Sequence, residues 1–316
     1  MRNLKLSDKK ILITGGAGFI GSYLVEKLCV KNKVTVIDNL STGKKKNISK
    51  LLDQIKFINK NLKNYKFKSN KFDLVIHLAA QTSVPYSVKN FKLSSKINMD
   101  ISINVLDYCY KNQVPFVYAS SSAIYGNLKY GDDTANIFDL INPYAADKVN
   151  LENYATSIFN LKKISNIGLR FFNVYGGRQD PSSIYSGVIS IFLNCAKNNS
   201  VININGGNQT RDFIYVSDVV DSIIKASKLV LSKNICEKIN ILTGKSTSIN
   251  SLFKIISTLT NYKKKPINKK MLLGDPMQSA GSINKMNKIL LNNKNFINLK
   301  NGLKLSIEES YNDEIR

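Results

Sequence analysis

The run KKILITGGAGFIGSYLV (residues 9–25) passes from a β-branched stretch through Gly15, Gly18 and Gly21 into a helical pattern. Each glycine of such a strand–turn–helix junction has its own mechanical reason: a tight turn, close backbone approach to a pyrophosphate, and close packing of helix on strand. The anion then sits at the helix N-terminus. Further β-branched runs, KVTVIDN (33–39), FDLVIHLAA (72–80), PFVYASS (115–121) and NIGLRFFNVYG (166–176), alternate with helical patterns. That alternation predicts βαβ units and a parallel sheet. Apolarity in these runs is continuous, so the strands are expected to be covered by helices on both faces.

Residues 1–175 therefore read as one doubly wound α/β unit of the Rossmann type. After Gly176 the pattern loosens: a helix is expected over 184–197, a strand over 201–205, a helix start at Ser217-Asp218 and a strand at KINILTG (238–244). Residues 176–316 are thus expected to form a smaller, interleaved α/β portion for the substrate, with a segment near 210–245 returning to the first unit. No internal repeat is found. With 316 residues, 43% of them apolar, the chain can bury a large core. No apolar run approaches the roughly 18 to 20 residues of a membrane span, and the start of the sequence lacks the apolar stretch and cleavage site of a signal peptide. A cytoplasmic protein with no membrane partner is expected.

Cys29, Cys109, Cys195 and Cys236 lie far apart and His77 is the only histidine. Four free buried thiols and no metal site are expected. The net charge is +24, mostly from lysines scattered along the chain, with clusters at Lys44–Lys46 and Lys263–Lys265. Without an aromatic-interleaved basic stripe this reads as a solvated surface and not as a nucleic-acid footprint. Its field still favours anionic substrates.

Asp38 ends the second predicted strand, about 20 residues past the glycines, where a carboxylate accepts ribose hydroxyls and repels a 2′-phosphate. The cofactor is therefore expected to be NAD. In NPYAADKVNLENYA (142–155) a helix begins after Pro143, and Tyr144 and Lys148 share a face at i and i+4. A lysine ammonium near a phenol lowers its pKa and makes a base that works near neutrality. ASSSAIYG (119–126) closes a predicted strand at the C-terminal sheet edge, where such folds bind ligands. Either Ser121 or Ser122 could hydrogen-bond a reacting oxygen there.

These segments, together with VIDNLSTG, HLAAQTSV, RFFNVYGGRQDP, YSGVISIF, QTRDFIYVSDVV and GDPMQS, stand in an order that resembles the extended short-chain dehydrogenase/reductases, specifically the nucleotide-sugar 4-epimerases. The resemblance covers nearly the whole chain. It implies Tyr144 as base, Lys148 as its pKa setter and ribose ligand, and Ser121 as the hydroxyl partner. For NAD it implies contacts from Phe19, Ile20, Asn39, Leu78, Ala79, Ala80, Gln81 and Asn98. Asn61-Leu62 stand where the family binds adenine through an Asp. On the sugar-nucleotide side it implies Asn173 and Arg211 at the diphosphate and Asp275 near the nucleotide ribose, with Ser83 and Ser122 beside the sugar. A homodimer built on the helical patterns at 91–112 and 144–161 is implied as well.

Related 4,6-dehydratases carry acidic residues directly after the catalytic hydroxyl, and related decarboxylases have a Glu in this stretch. Here Ser122 and Ala123 stand there, which favours epimerisation through a transient 4-keto sugar. A small residue four positions after Asp275, Ser279, opens the family's sugar pocket to N-acetyl groups. The expected reaction is C4 epimerisation of a UDP-hexose, leaning to UDP-GlcNAc/UDP-GalNAc, with UDP-Glc/UDP-Gal also admitted. Leu272 and Met277 replace arginines common in the family. Open alternatives are another nucleotide-sugar epimerase or reductase, on a UDP-uronic acid or a GDP-, CDP- or dTDP-sugar, and an inactive NAD-sensing protein. Retention of Tyr144, Lys148 and the serines speaks against the last. His77 reads as a packed sheet-edge histidine.

Overall fold

The computed structural model describes residues 6–67, 72–181, 187–271, 274–291 and 295–312. The chain runs through β1 (Lys10–Thr14), α1 (Phe19–Cys29), β2 (Lys33–Asp38), β3 (Ile55–Asn59), β4 (Leu74–His77), α2 (Val84–Lys89) and α3 (Phe91–Asn112). Next come β5 (Phe116–Ser121), α4 (Pro143–Lys162), β6 (Asn166–Phe171), β7 (Asn173–Tyr175) and α5 (Val188–Lys197). Then follow β8 (Asn203–Asn205), β9 (Thr210–Tyr215), α6 (Val216–Ser232), β10 (Cys236–Ile241), β11 (Ser246–Ser248) and α7 (Ile249–Thr260). The last are β12 (Ile267–Lys269), α8 (Asn284–Leu290) and α9 (Leu299–Asn312).

Seven strands form one parallel sheet in the order β3-β2-β1-β4-β5-β6-β10. Continuous apolarity has the expected cause, visible within β1: Ile11 and Ile13 enter a core with Leu24 and Val25 of α1 and Val219 of α6, while Leu12 joins Val105 of α3 and Leu151 of α4. The winding turns back between β1 and β4. Their C-terminal ends therefore border the crevice in which doubly wound sheets bind ligands. Two small sheets, β11-β9-β7 and β12-β8, lie outside the main one.

Four strands, β3, β9 and the three-residue β11 and β12, had no counterpart among the runs read above. β3 is a half-buried edge strand interrupted by exposed Lys56 and followed by exposed Lys60, so its apolar signal is short. β9 opens with Thr210, Arg211 and Asp212, the last two buried, which disguises it as polar loop. The helix expected from 184 is described from Val188, behind Gly187; Ile184, Tyr185 and Ser186 lie outside the described residues. Cys29 and Cys109 are buried, but Cys195 and Cys236 are only partly so, against the expectation of four buried thiols. Among the described residues no helix is long and apolar enough to cross a membrane.

Candidate active site

Gly15 has φ +73°, and a Cβ there would lie 2.8 Å from the Ala79 nitrogen. A Cβ on Gly21 would lie 2.1 Å from the Gly15 carbonyl oxygen. The turn after β1 thus closes on itself and on the loop after β4 with no space for a side chain at Gly15 or Gly21. Gly18 caps α1 without a side-chain bond, which leaves the first N–H groups of the helix to an outside anion. At the end of β2, Asp38 Oδ2 accepts from the Ala17 N–H (3.0 Å) and Oδ1 from the Leu40 N–H (2.8 Å). Burial raises the Asp38 pKa, and these two bonds oppose the rise. Each oxygen keeps a second lone pair for a ribose hydroxyl.

A cavity of about 570 Å³ opens over these strand ends, within the usual range for a bound small molecule. Its cofactor-side wall contains Gly15, Gly18, Phe19, Ile20, Gly21, Asp38 and Asn39, with Asn61 and Leu62 from the turn after β3. Leu78, Ala79, Ala80 and Gln81 contribute the loop after β4, and Ser121, Tyr144, Lys148 and Asn173 line the far side. Asn61 spends one lone pair of Oδ1 on the Lys63 N–H at 2.9 Å and keeps one for a ligand. The cradle without room for a Cβ and the carboxylate at the end of β2 fit a dinucleotide.

Tyr144 enters the first turn of α4 because Pro143 begins the helix and Asn142 caps it, Oδ1 accepting the Ala145 N–H at 2.9 Å. Its phenol shares the cavity wall with Ser121 at the end of β5, near enough for that side chain to lower its pKa. Lys148, one turn on, donates from Nζ to the Ala119 carbonyl (2.8 Å) and stands 5.6 Å from the Tyr144 ring centroid. The electrostatics differ from the simple expectation. Burial pushes Tyr144 up to about 12, Ser121 pulls it down, and Asp147 raises it. Lys148 directs its ammonium to the β5 backbone and does not outweigh that burial. Burial lowers Lys148 to about 8, against the charges of Asp147 and Glu152.

Six expected contacts do not lie on the cavity wall. Asn98 is buried, and its amide holds the Gln81 backbone at both N (2.8 Å) and O (3.1 Å) and donates to Asp147 Oδ2 (2.9 Å). It supports the lining loop and does not line it. Ser83 caps α2 through the Tyr86 N–H at 3.1 Å, and Ser122 opens the short turn that Ser121 caps through the Ala123 N–H. Arg211 is ion-paired with Asp275 at the edge of β9. Ser279 lies behind Asn173, whose Nδ2 donates to its Oγ at 3.3 Å, and its backbone pairs with Thr210 and Asp212. Met277 is exposed and pairs through its carbonyl with Thr210; Leu272 lies outside the described residues.

Other lining residues carried no assignment in the sequence reading. Ser41, Thr42, Lys44 and Asn47 come from the connection after β2, and Arg178, Gln179 and Asp180 from the loop after β7. A Lys44–Asp180 ion pair of 2.6 Å joins the two groups. The segments VIDNLSTG and RFFNVYGGRQDP marked both loops without saying that they meet. His77 is 2% exposed between the Thr14 hydroxyl (2.7 Å) and the Ser102 hydroxyl (3.2 Å). Burial, with the Lys148 charge, depresses its pKa to about 3.

The sequence model of the NAD dependent epimerase/dehydratase family matches residues 11–241. Among solved structures, a UDP-glucose 4-epimerase from Thermotoga maritima with UDP-glucose superposes with a TM-score of 0.89 at 34% identity, covering 97% of this chain and 100% of that one. A UDP-N-acetylglucosamine 4-epimerase from Methanobrevibacter ruminantium M1, in complex with UDP-N-acetylmuramic acid, gives 0.90 at 32% identity over 98% and 99%. A UDP-glucuronic acid 4-epimerase from Bacillus cereus, with UDP-glucuronic acid and NAD, gives 0.87 at 27% identity over 96% and 99%.

Proposed function

The chain belongs to the NAD-dependent epimerase/dehydratase family, and on that premise we propose that it inverts C4 of a UDP-hexose, UDP-GlcNAc and UDP-GalNAc foremost. The observation that carries the reading is that Tyr144 and Ser121 share one wall of the cavity, with Lys148 one helical turn from the tyrosine and no lining carboxylate next to them among the described residues. Among the described residues the lining acids are Asp38, at the end of β2, and Asp180, paired with Lys44. Asp147 is bonded behind the wall to Asn98. Eliminating water from the sugar would call for an acid and a base at neighbouring carbons. Removing and restoring the O4 proton needs only one such group.

In this reading Ser121 holds O4 of the sugar against Tyr144, and Tyr144 takes the O4 proton and later returns it. A phenol raised to about 12 by burial needs a positive neighbour to ionise near pH 7. Lys148 is the protein group placed to supply it. NAD, when bound, supplies the hydride acceptor and donor at C4 and, oxidised, a ring cation near the phenol. Gly15, Gly18 and Gly21 would hold its pyrophosphate, Asp38 and Lys148 its riboses, and Asn61 and Leu62 its adenine. Asn173, Arg211 and Asp275 would hold the sugar nucleotide, with Ser279 behind Asn173 leaving space for an N-acetyl group.

The cofactor portion would comprise residues 1–175 with α6 and β10 returning to it, and residues 176–316 otherwise the substrate portion. Exposed Leu93 and Ile103 on α3 and Tyr154 and Leu161 on α4 support a homodimer packed through these two helices. The functional test is to incubate purified protein with UDP-GlcNAc and no added NAD, following anomeric protons by NMR. Signals of UDP-GalNAc growing to an equilibrium mixture are expected. No product from UDP-GlcNAc or UDP-Glc, with NAD supplied, would overturn the proposal.

A further inference from the structure

Beneath the site lies a buried polar junction that the reaction as described does not use. Arg170 of β6 grips Glu152 of α4 with two bonds, Nε to Oε1 at 2.9 Å and Nη2 to Oε2 at 2.7 Å. Their side chains are 2% and 4% exposed. Glu152 Oε1 also accepts the Ser120 hydroxyl at 2.6 Å. Arg170 Nη1 donates to Tyr125 Oη (2.8 Å), which donates on to Asn240 Oδ1 (2.7 Å). An ion pair this deep gives up so much hydration that apolar residues of similar volume often stabilise a core as well or better. Its place in the fold supplies a different reason for it. Glu152 stands eight residues after Tyr144 and four after Lys148 on the same helical face, Ser120 precedes Ser121, and Arg170 precedes Phe171, Phe172 and Asn173 of the wall.

We infer that Glu152 and Arg170 are the positioning residues of this site: the pair clamps the end of β5 to α4 so that Ser121 meets Tyr144 and the Ala119 carbonyl meets Lys148. The inference rests on the reading of Tyr144, Ser121 and Lys148 as the reacting groups. A second effect follows from charge. Lys148 is faced by Tyr144, Asp147 and Glu152 of its own helix, by His77 of β4 and by the Ala119 carbonyl of β5, with Arg170 of β6 behind Glu152. Glu152 and Asp147 hold its proton against burial. Removing the Glu152 charge therefore lets Lys148 lose its proton at lower pH.

The test is the double variant E152Q/R170M, which leaves no lone buried charge, compared with S120A, which keeps the ion pair and removes one bond to it. The readouts are bound NAD, KM and the pH profile of kcat for nucleotide-sugar epimerisation. For the double variant, unchanged NAD content and KM are expected, with kcat down about tenfold or more and the alkaline limb of kcat lower by about half a pH unit or more. A folded double variant with wild-type kcat, or with lowered kcat and an unmoved limb, overturns the inference. Should the double variant fail to fold, S120A decides: a kcat lowered about threefold or more at unchanged NAD content and KM supports the clamp, and wild-type kcat overturns it. Y144F run in parallel keeps the underlying reading separate, because full activity there removes that reading whatever Glu152 does.

Discussion

The cofactor side of the cavity is built from sequence neighbours, Gly15 to Gly21 in one turn and Leu78 to Gln81 in another. On the side proposed for the sugar, Asn173 of the wall is backed by Ser279 across 106 residues, and behind the wall Arg211 reaches Asp275 across 64. The first wall is anchored by backbone geometry, since no side chain can enter its turn at Gly15 or Gly21. The second is held by side-chain bonds that a ligand can rearrange. Substitutions on the first should therefore be all-or-none, and those on the second graded.

The largest effect is expected for Gly21→Ala, because its Cβ would meet the backbone oxygen of Gly15 at 2.1 Å in a turn that cannot yield. Protein purified with this change should release no NAD on denaturation, measured by chromatography of the supernatant. Normal NAD content would break the contrast at its rigid end. Tyr144→Phe comes next: it removes a proton-transfer group, for which losses of about 10²- to 10⁴-fold in kcat are typical, while NAD content stays at the wild-type level. A smaller, selective change is expected behind the graded wall, where Ser279 backs Asn173. Ser279→Tyr should lower kcat/KM for UDP-GlcNAc relative to UDP-Glc by about 10- to 200-fold, the usual worth of filling a pocket. Equal losses on both sugars would mean that Ser279 does not border the N-acetyl group.

The histidine beside the rigid wall gives the smallest effect and one with a definite sign. Folded His77 stays neutral down to about pH 3, whereas in the unfolded chain it takes a proton below about pH 6.5. Between these values the unfolded state binds more protons, so stability is full above about 6.5 and falls as pH falls. By pH 5 the loss amounts to about 2 kcal/mol. Urea unfolding at pH 7 and pH 5 should show that difference in the wild type and a smaller one in His77→Gln. An equal acid loss in both would place the sensitivity elsewhere.

The same contrast governs what could be read from sequence. Glycine spacing, Asp38 and the Tyr144/Lys148 pair are local patterns, and each of these residues stands on the cavity wall. The doubly wound sheet was legible for the same reason, since strand runs and helices alternate along the chain. Asn98 was read as a cofactor contact; the structure places its amide behind the wall, bonded to the Gln81 backbone and to Asp147, an arrangement that only the fold reveals. β9 went unseen because Arg211 and Asp212 are buried by partners more than thirty residues away, at Asp275 and Thr243. The Lys44–Asp180 contact was hidden likewise, its two halves lying in motifs that gave no sign of meeting.

The most direct measurement of the central claim, that one retained cofactor and one proton-transfer tyrosine invert C4, is proton NMR of UDP-GlcNAc incubated with the purified protein in D2O without added NAD. The account predicts UDP-GalNAc that keeps protium at C4, because the C4 hydrogen leaves and returns inside the protein and never exchanges with water. UDP-GalNAc carrying deuterium at C4 would contradict it, as would the absence of any epimer from both UDP-GlcNAc and UDP-Glc.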